Sequence, residues 1–182
     1  EILAGFIPTN VAATFAYNGA GDTVWEHHLP DPATDIKLDI KPQGMTIDEQ
    51  GNYYLTHSSS RQGASLPCLG CSVYSHHIYV TKLSPAGEEI WHTEYKTNGA
   101  GTGTAFVATN ENFIAMADDD ILRTFSQTDG SIVIEQDTSE VNRDLSHVLL
   151  DVNDNIIFIT DAGNAYNHYY SIEKWVREPL QP

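Results

Sequence analysis

Apolar residues in this chain fall in short runs broken by Gly, Asn and Asp, and no segment carries the i, i+3, i+4 stripe of an amphipathic helix. Three segments repeat one pattern. In residues 45–56, Met45-Thr46-Ile47 leads into Asp48-Glu49-Gln50-Gly51-Asn52 and then Tyr53-Tyr54-Leu55-Thr56. Residues 105–116 and 148–159 do the same around Asn110-Glu111-Asn112 and Asp151-Val152-Asn153-Asp154-Asn155. Each reads as a β-hairpin. β-branched and aromatic residues flank a turn of residues that tolerate positive φ.

A second hairpin alternates with the first. Residues 81–91 (Thr81-Lys82-Leu83-Ser84-Pro85-Ala86-Gly87-Glu88-Glu89-Ile90-Trp91) match residues 15–25, which end Gly21-Asp22-Thr23-Val24-Trp25. Residues 124–134 form a third copy, with a turn one residue longer and Ile134 in place of the Trp. Gly87 to Gly130 and Asn112 to Asn155 are both 43 residues apart. Asn52 to Asn112 is 60, because residues 57–76 are inserted into the second unit. A period in the low forties with four strands per unit is the signature of β-propeller blades.

The predicted fold is therefore all-β: blades of four antiparallel strands, about four in number, over residues 1–40, 41–99, 100–143 and 144–182. Strands are expected at residues 2–6, 12–17 and 23–28 in the first blade and near 170–175 in the last. The outer two blades lack strands at opposite ends. A propeller hides its sheet edges by closing its ring, so the remainder of a longer chain or another subunit is expected to complete it.

The run from a Gly-Asn hairpin through Thr81-Lys82-Leu83-Ser84 to Gly87-Glu88-Glu89-Ile90-Trp91 resembles bacterial propeller repeats of the SBBP type. It is also similar to the tryptophan-docking repeats of quinoprotein-like propellers. The likeness runs over residues 12–175; Ile134 departs from it. It implies a seven- or eight-bladed propeller in an extracytoplasmic setting, with Trp25 and Trp91 docking between neighbouring blades. It implies no particular reaction, since one fold hosts many functions.

Charge narrows the partners. The chain holds 25 acidic and 9 basic residues, a net −16. Such a surface repels phosphate backbones and anionic lipid, which argues against nucleic acid. No run of about 18 apolar residues exists, so no membrane-inserted helix is expected. The opening Glu1-Ile2-Leu3-Ala4-Gly5-Phe6 lacks a basic start and is not a signal peptide. It reads as a mature chain or a piece of a longer one.

Candidate chemistry is sparse. Asp151, Asn153 and Asn155 alternate like the start of a calcium loop, but Ile156 stands where that loop has Gly and Ala162 where it has Glu. The hairpin turn is the preferred reading, calcium the alternative, and no other cofactor is expected. Cys68 and Cys71 sit in a Ser-, Gly- and Pro-rich insertion and are expected to form a small-loop disulfide in an oxidising compartment. A zinc site from these cysteines with His76 or His77 is the alternative. The insertion reads as a loop presenting Leu66, Leu69, Val73 and Tyr74 to a partner, or packing over its own blade.

No Walker loop, Gly-x-Ser-x-Gly elbow or His-Glu-x-x-His motif is present, and no catalytic residue is nominated. The expected function is a non-enzymatic, secreted or cell-envelope propeller module that binds a protein or a polysaccharide. Two alternatives stand beside it. One is part of a propeller enzyme, a quinoprotein-like oxidoreductase or a hydrolase. The other is a structural subunit of a filament or larger assembly.

Overall fold

The computed structural model describes residues 13–28, 38–65, 72–96, 105–118, 121–137, 144–151, 153, 155–164 and 167–176. The described residues form thirteen strands and no helix. They make four antiparallel sheets. Sheet 1 pairs β1 (Ala13–Tyr17) with β2 (Thr23–His28). Sheet 2 runs β3 (Leu38–Ile47), β4 (Tyr53–Ser65), β5 (Ser72–Leu83), β6 (Glu89–Lys96) in spatial order. In sheet 3 the order is β7 (Ala105–Thr109), β8 (Phe113–Asp118), β9 (Ile121–Ser126), β10 (Ile132–Asp137). Sheet 4 has β11 (Asp144–Leu150), β12 (Ile156–Asn164) and β13 (Asn167–Trp175). Consecutive hairpins in each sheet are what propeller blades require, and the described sheets do not close a ring. The strand expected at residues 2–6 lies outside the described residues.

The sheets stack face to face, with one apolar cluster in each interface. Ala16, Trp25, Leu55 and Leu83 join sheets 1 and 2, with Tyr53 against them. Tyr54, Ile78, Val80, Ile114, Met116 and Phe125 join sheets 2 and 3. Ala108, Ala115, Ala117, Leu122, Val148, Ile156 and Phe158 join sheets 3 and 4. Alternation along each strand explains the division: Tyr54 faces sheet 3 while Leu55 faces sheet 1. Strand β8 is buried on both faces, Ile114 and Met116 one way and Ala115 and Ala117 the other. A strand buried on both faces reads as a continuous apolar run, as this one does.

The inserted stretch is not a loop over most of its length. β4 continues to Ser65 and β5 starts at Ser72, paired from Ser58↔Ile78 through Arg61↔Ser75 and Gln62↔Tyr74 to Ser65↔Ser72. On the other side β3 extends the arm, with Leu38 opposite Arg61. Val73 and Tyr74 are therefore strand residues of β5, not loop residues. The Ser- and Gln-rich sequence has low strand propensity of its own. Register propagated outward from the buried half of the hairpin holds it extended. Leu66, Leu69, Cys68 and Cys71 lie outside the described residues.

Candidate functional site: an acidic cavity at three equivalent turns

The first hairpin turns of sheets 2, 3 and 4 meet around one cavity of about 300 Å³. Its lining is Ile47, Asp48 and Glu49 from the β3–β4 turn, Thr109 to Asn112 from the β7–β8 turn, and Leu150 and Asp151 before β12. Asp48, Asn110 and Asp151 each directly follow the first described strand of their sheet. Each opens its turn with a side-chain oxygen that caps the backbone N–H groups across it, the reason Asp and Asn recur there.

Asp48 is 8% exposed. It accepts hydrogen bonds from the Asn52 backbone N–H at 2.8 Å, Asn52 Nδ2 at 2.8 Å and the Tyr54 hydroxyl at 2.9 Å. Gly51, at φ +82°, lets the turn close. Burial pushes the Asp48 pKa up, but the bonds from Asn52 and Tyr54 and the Lys82 charge outweigh it and hold it below the usual carboxylate range. Burial and the adjoining Asp48 carboxylate push the Tyr54 phenol well above its usual value.

Asn110 Oδ1 accepts from the N–H groups of Asn112 at 2.9 Å and Phe113 at 3.0 Å. Its Nδ2 donates to the Asp151 carbonyl at 3.1 Å, tying the second turn to the third. Asp151 accepts from Asn153 N–H at 2.8 Å, Asn155 N–H at 3.0 Å and Lys174 Nζ at 2.9 Å. Asn155 Nδ2 also donates to both its oxygens. The Lys174 ammonium, then Asn155, hold the Asp151 carboxyl far below its usual range. The calcium candidates Asp151, Asn153 and Asn155 are thus joined as a hydrogen-bonded turn with Lys174 on it. Among the described residues, no group of three or more His, Cys, Asp or Glu is arranged to hold a metal ion.

Glu49 and Glu111 are exposed and complete the acidic lining, which includes no Lys or Arg. An ionised, hydrogen-bonded carboxylate is a fixed anion. It suits attraction of a cation better than proton transfer near neutral pH. The recurrence of the turns that Asp48, Asn110 and Asp151 open was visible in the sequence. That their turns converge on one cavity was not.

The tryptophans mark the sheet junctions. Trp25 is 8% exposed and meets Tyr53 edge-on, with ring centroids 5.1 Å apart. It lies on Gly87 of the sheet 2 turn. Trp91 lies on Gly130 of the sheet 3 turn and donates Nε1–H to the Gln127 carbonyl at 3.1 Å. A second cavity, about 320 Å³ and mainly apolar, opens beside Trp25 between Tyr17, Val24, Met45, Ile47, Tyr53 and Pro85.

No protein-family model matches this chain, and no curated protein matches it in sequence. Several solved structures are similar to it in shape, two of them as follows. One is selenomethionine-substituted virginiamycin B lyase from Staphylococcus aureus, 12% identical, with a TM-score of 0.38, over 91% of this chain and 62% of that one. The other is a protein of unknown function from Bacteroides caccae, 12% identical, with a TM-score of 0.37, over 93% of this chain and 72% of that one. The chain thus spans about three fifths of the lyase structure.

Proposed function

We propose that this chain is a non-enzymatic, extracytoplasmic propeller module that binds a basic segment of a protein partner in the acidic cavity. The observation behind this reading is the convergence of Asp48, Glu49, Glu111 and Asp151, from three equivalent turns, on one cavity of about 300 Å³. Asp48 is held ionised mainly by its own turn and Asp151 mainly by Lys174, so the exposed Glu49 and Glu111 supply the charge a basic segment would meet first. The chain's overall charge of −16 extends the attraction to longer range.

The test is calorimetric binding of a Lys/Arg-rich peptide to the native protein and to a Glu49→Gln/Glu111→Gln variant. Neither side chain holds its turn together through a bond described above, so the variant should fold. Binding that weakens about tenfold in the variant and falls with added salt supports the reading. Equal affinity in both proteins refutes it.

A further sheet unit, from the remainder of a longer chain or from another subunit, completes the stack in this reading. Trp25 and Trp91 each dock on a glycine turn of the next sheet, whereas Ile134, at the same repeat position, is 39% exposed. On the last sheet Leu149 is 56% and Ile172 74% exposed. Sedimentation of the protein as a stable multimer at micromolar concentration supports closure by another subunit.

A further inference from the structure

Sheet 1 meets sheet 2 along an interface with two unlike halves. One half is the apolar cluster of Ala16, Trp25, Leu55 and Leu83. Cross-strand partners share a face, so Leu55↔Thr81, His57↔Tyr79 and Ser59↔His77 continue that same side of sheet 2 into a polar half. From sheet 1, Thr14↔His27 lies on the face of Ala16↔Trp25 and meets it. Here the molecule leaves several buried polar atoms without a hydrogen bond: Trp25 Nε1, His27 Nε2, His57 Nδ1, Ser59 Oγ and Thr81 Oγ1. Such a concentration is uncommon in a folded interior.

His57 is 2% exposed. The His27 side chain is 11% exposed, with Nε2 3.6 Å from Glu89 Oε2. Described carboxylates reach this region only from β6, and both already hold other partners. Glu89 pairs with His92 at 2.7 Å. Glu94 pairs with His77 at 2.8 Å and accepts from the Tyr79 hydroxyl at 3.0 Å. His28 of β2 pairs with Glu26, on the far side of sheet 1. A proton added to His57 therefore creates a buried cation beside His27 with no carboxylate of its own among the described residues.

We propose that the packing of sheet 1 on sheet 2 is an acid-sensitive latch, closed while His27 and His57 are neutral and released when both are protonated. Burial, then the neighbouring His27, pushes the His57 pKa down to about 4 from 6.5. Burial also lowers that of His27, with His28 and His92 adding to the effect and Glu89 opposing it. A group whose folded pKa is depressed and whose neutral form is the buried one destabilises the fold as pH falls. The closed form is fully favoured above pH 6.5, and the advantage erodes down to the folded pKa. Release frees Trp25 from Gly87 and opens the apolar groove that shares Trp25 and Tyr53. Sheets 2 and 3 meet through the other face of sheet 2 and stay joined.

Amide hydrogen exchange at pH 7 and pH 4.5, corrected for intrinsic rates, tests this. From His57 alone, opening of β1 and β2 should rise about 60-fold on that step, while β8 and β9 change little. In His57→Leu, which keeps the volume beside Leu55, the rise should fall below about tenfold. Proton NMR of the native protein gives a readout that needs no variant: the His57 imidazole should stay unprotonated until below about pH 5. A His57 resonance titrating near 6.5 in the folded protein, equal loss of protection in sheets 1 and 3, or an unchanged pH step in His57→Leu would each overturn the latch.

Discussion

Trp25 of β2 lies directly on the backbone of Gly87, so that a Cβ built on the glycine would stand 2.5 Å from Trp25 Cγ. Trp91 and Gly130 repeat the arrangement one sheet later, at 2.6 Å from Cε3. Both glycines adopt positive φ, +83° and +72°. Each therefore serves two ends: it closes the hairpin and gives a flat seat to the indole of the preceding sheet.

Gly87→Ala and Gly130→Ala should each destabilise the protein by about 2–4 kcal/mol, combining left-handed backbone strain with overpacking. Gly21 separates the two effects. Its φ is +89°, but a Cβ added there would meet nothing within 4 Å, so Gly21→Ala should cost only about 1 kcal/mol. Urea unfolding of the three variants gives the comparison; equal costs would remove the indole from the explanation.

The two tryptophans should differ when trimmed to Phe. Trp91→Phe loses the Nε1–H bond to Gln127. Trp25 Nε1 has no partner to lose. Trp91→Phe is expected to cost about 1 kcal/mol more than Trp25→Phe. Either residue changed to Ala should cost about 3–5 kcal/mol. Chemical denaturation measures both differences.

Asp48→Ala should cost about 2–3 kcal/mol, because it leaves the Asn52 side chain and the buried Tyr54 hydroxyl without their acceptor. The sign with pH follows from the depressed carboxyl pKa. The stabilisation is complete above the ordinary value of 3.8 and is lost as pH falls through the lower folded value. The stability gap between native protein and Asp48→Asn should thus be constant from about pH 7 to 5 and shrink below pH 3.8. Acid titration followed by circular dichroism checks it.

Protein purified without reductant should show no free thiol at Cys68 or Cys71 in a thiol-reactive dye assay. Reduction should lower stability by about 2 kcal/mol at most, since the closed loop is so short. Full reactivity of both thiols would refute the disulfide.

Hairpins and their turns were legible in the chain because they are local. Turn chemistry at Asp48-Glu49-Gln50-Gly51-Asn52 and Ser84-Pro85-Ala86-Gly87, and the continuous apolar run of residues 113–116, are written into neighbouring residues. β2 runs Thr23–His28 and β13 ends at Trp175, where those patterns place them. The extension of β4 and β5 was not legible. Residues 58–65 carry no apolar alternation, and only pairing with already registered neighbours keeps them extended.

Spacing along the chain determined that Asn52, Asn112 and Asn155 would end equivalent turns and that Trp25 and Trp91 would end equivalent hairpins. Tertiary structure decided what each of them meets. Stacking of the sheets brought three turns to one cavity, set Trp25 on Gly87, and buried His57 beside His27. The physical reason is range. Turn formation and strand alternation depend on residues a few positions apart, whereas burial, desolvation and charge pairing depend on which faces are pressed together, and that is settled only when the sheets pack.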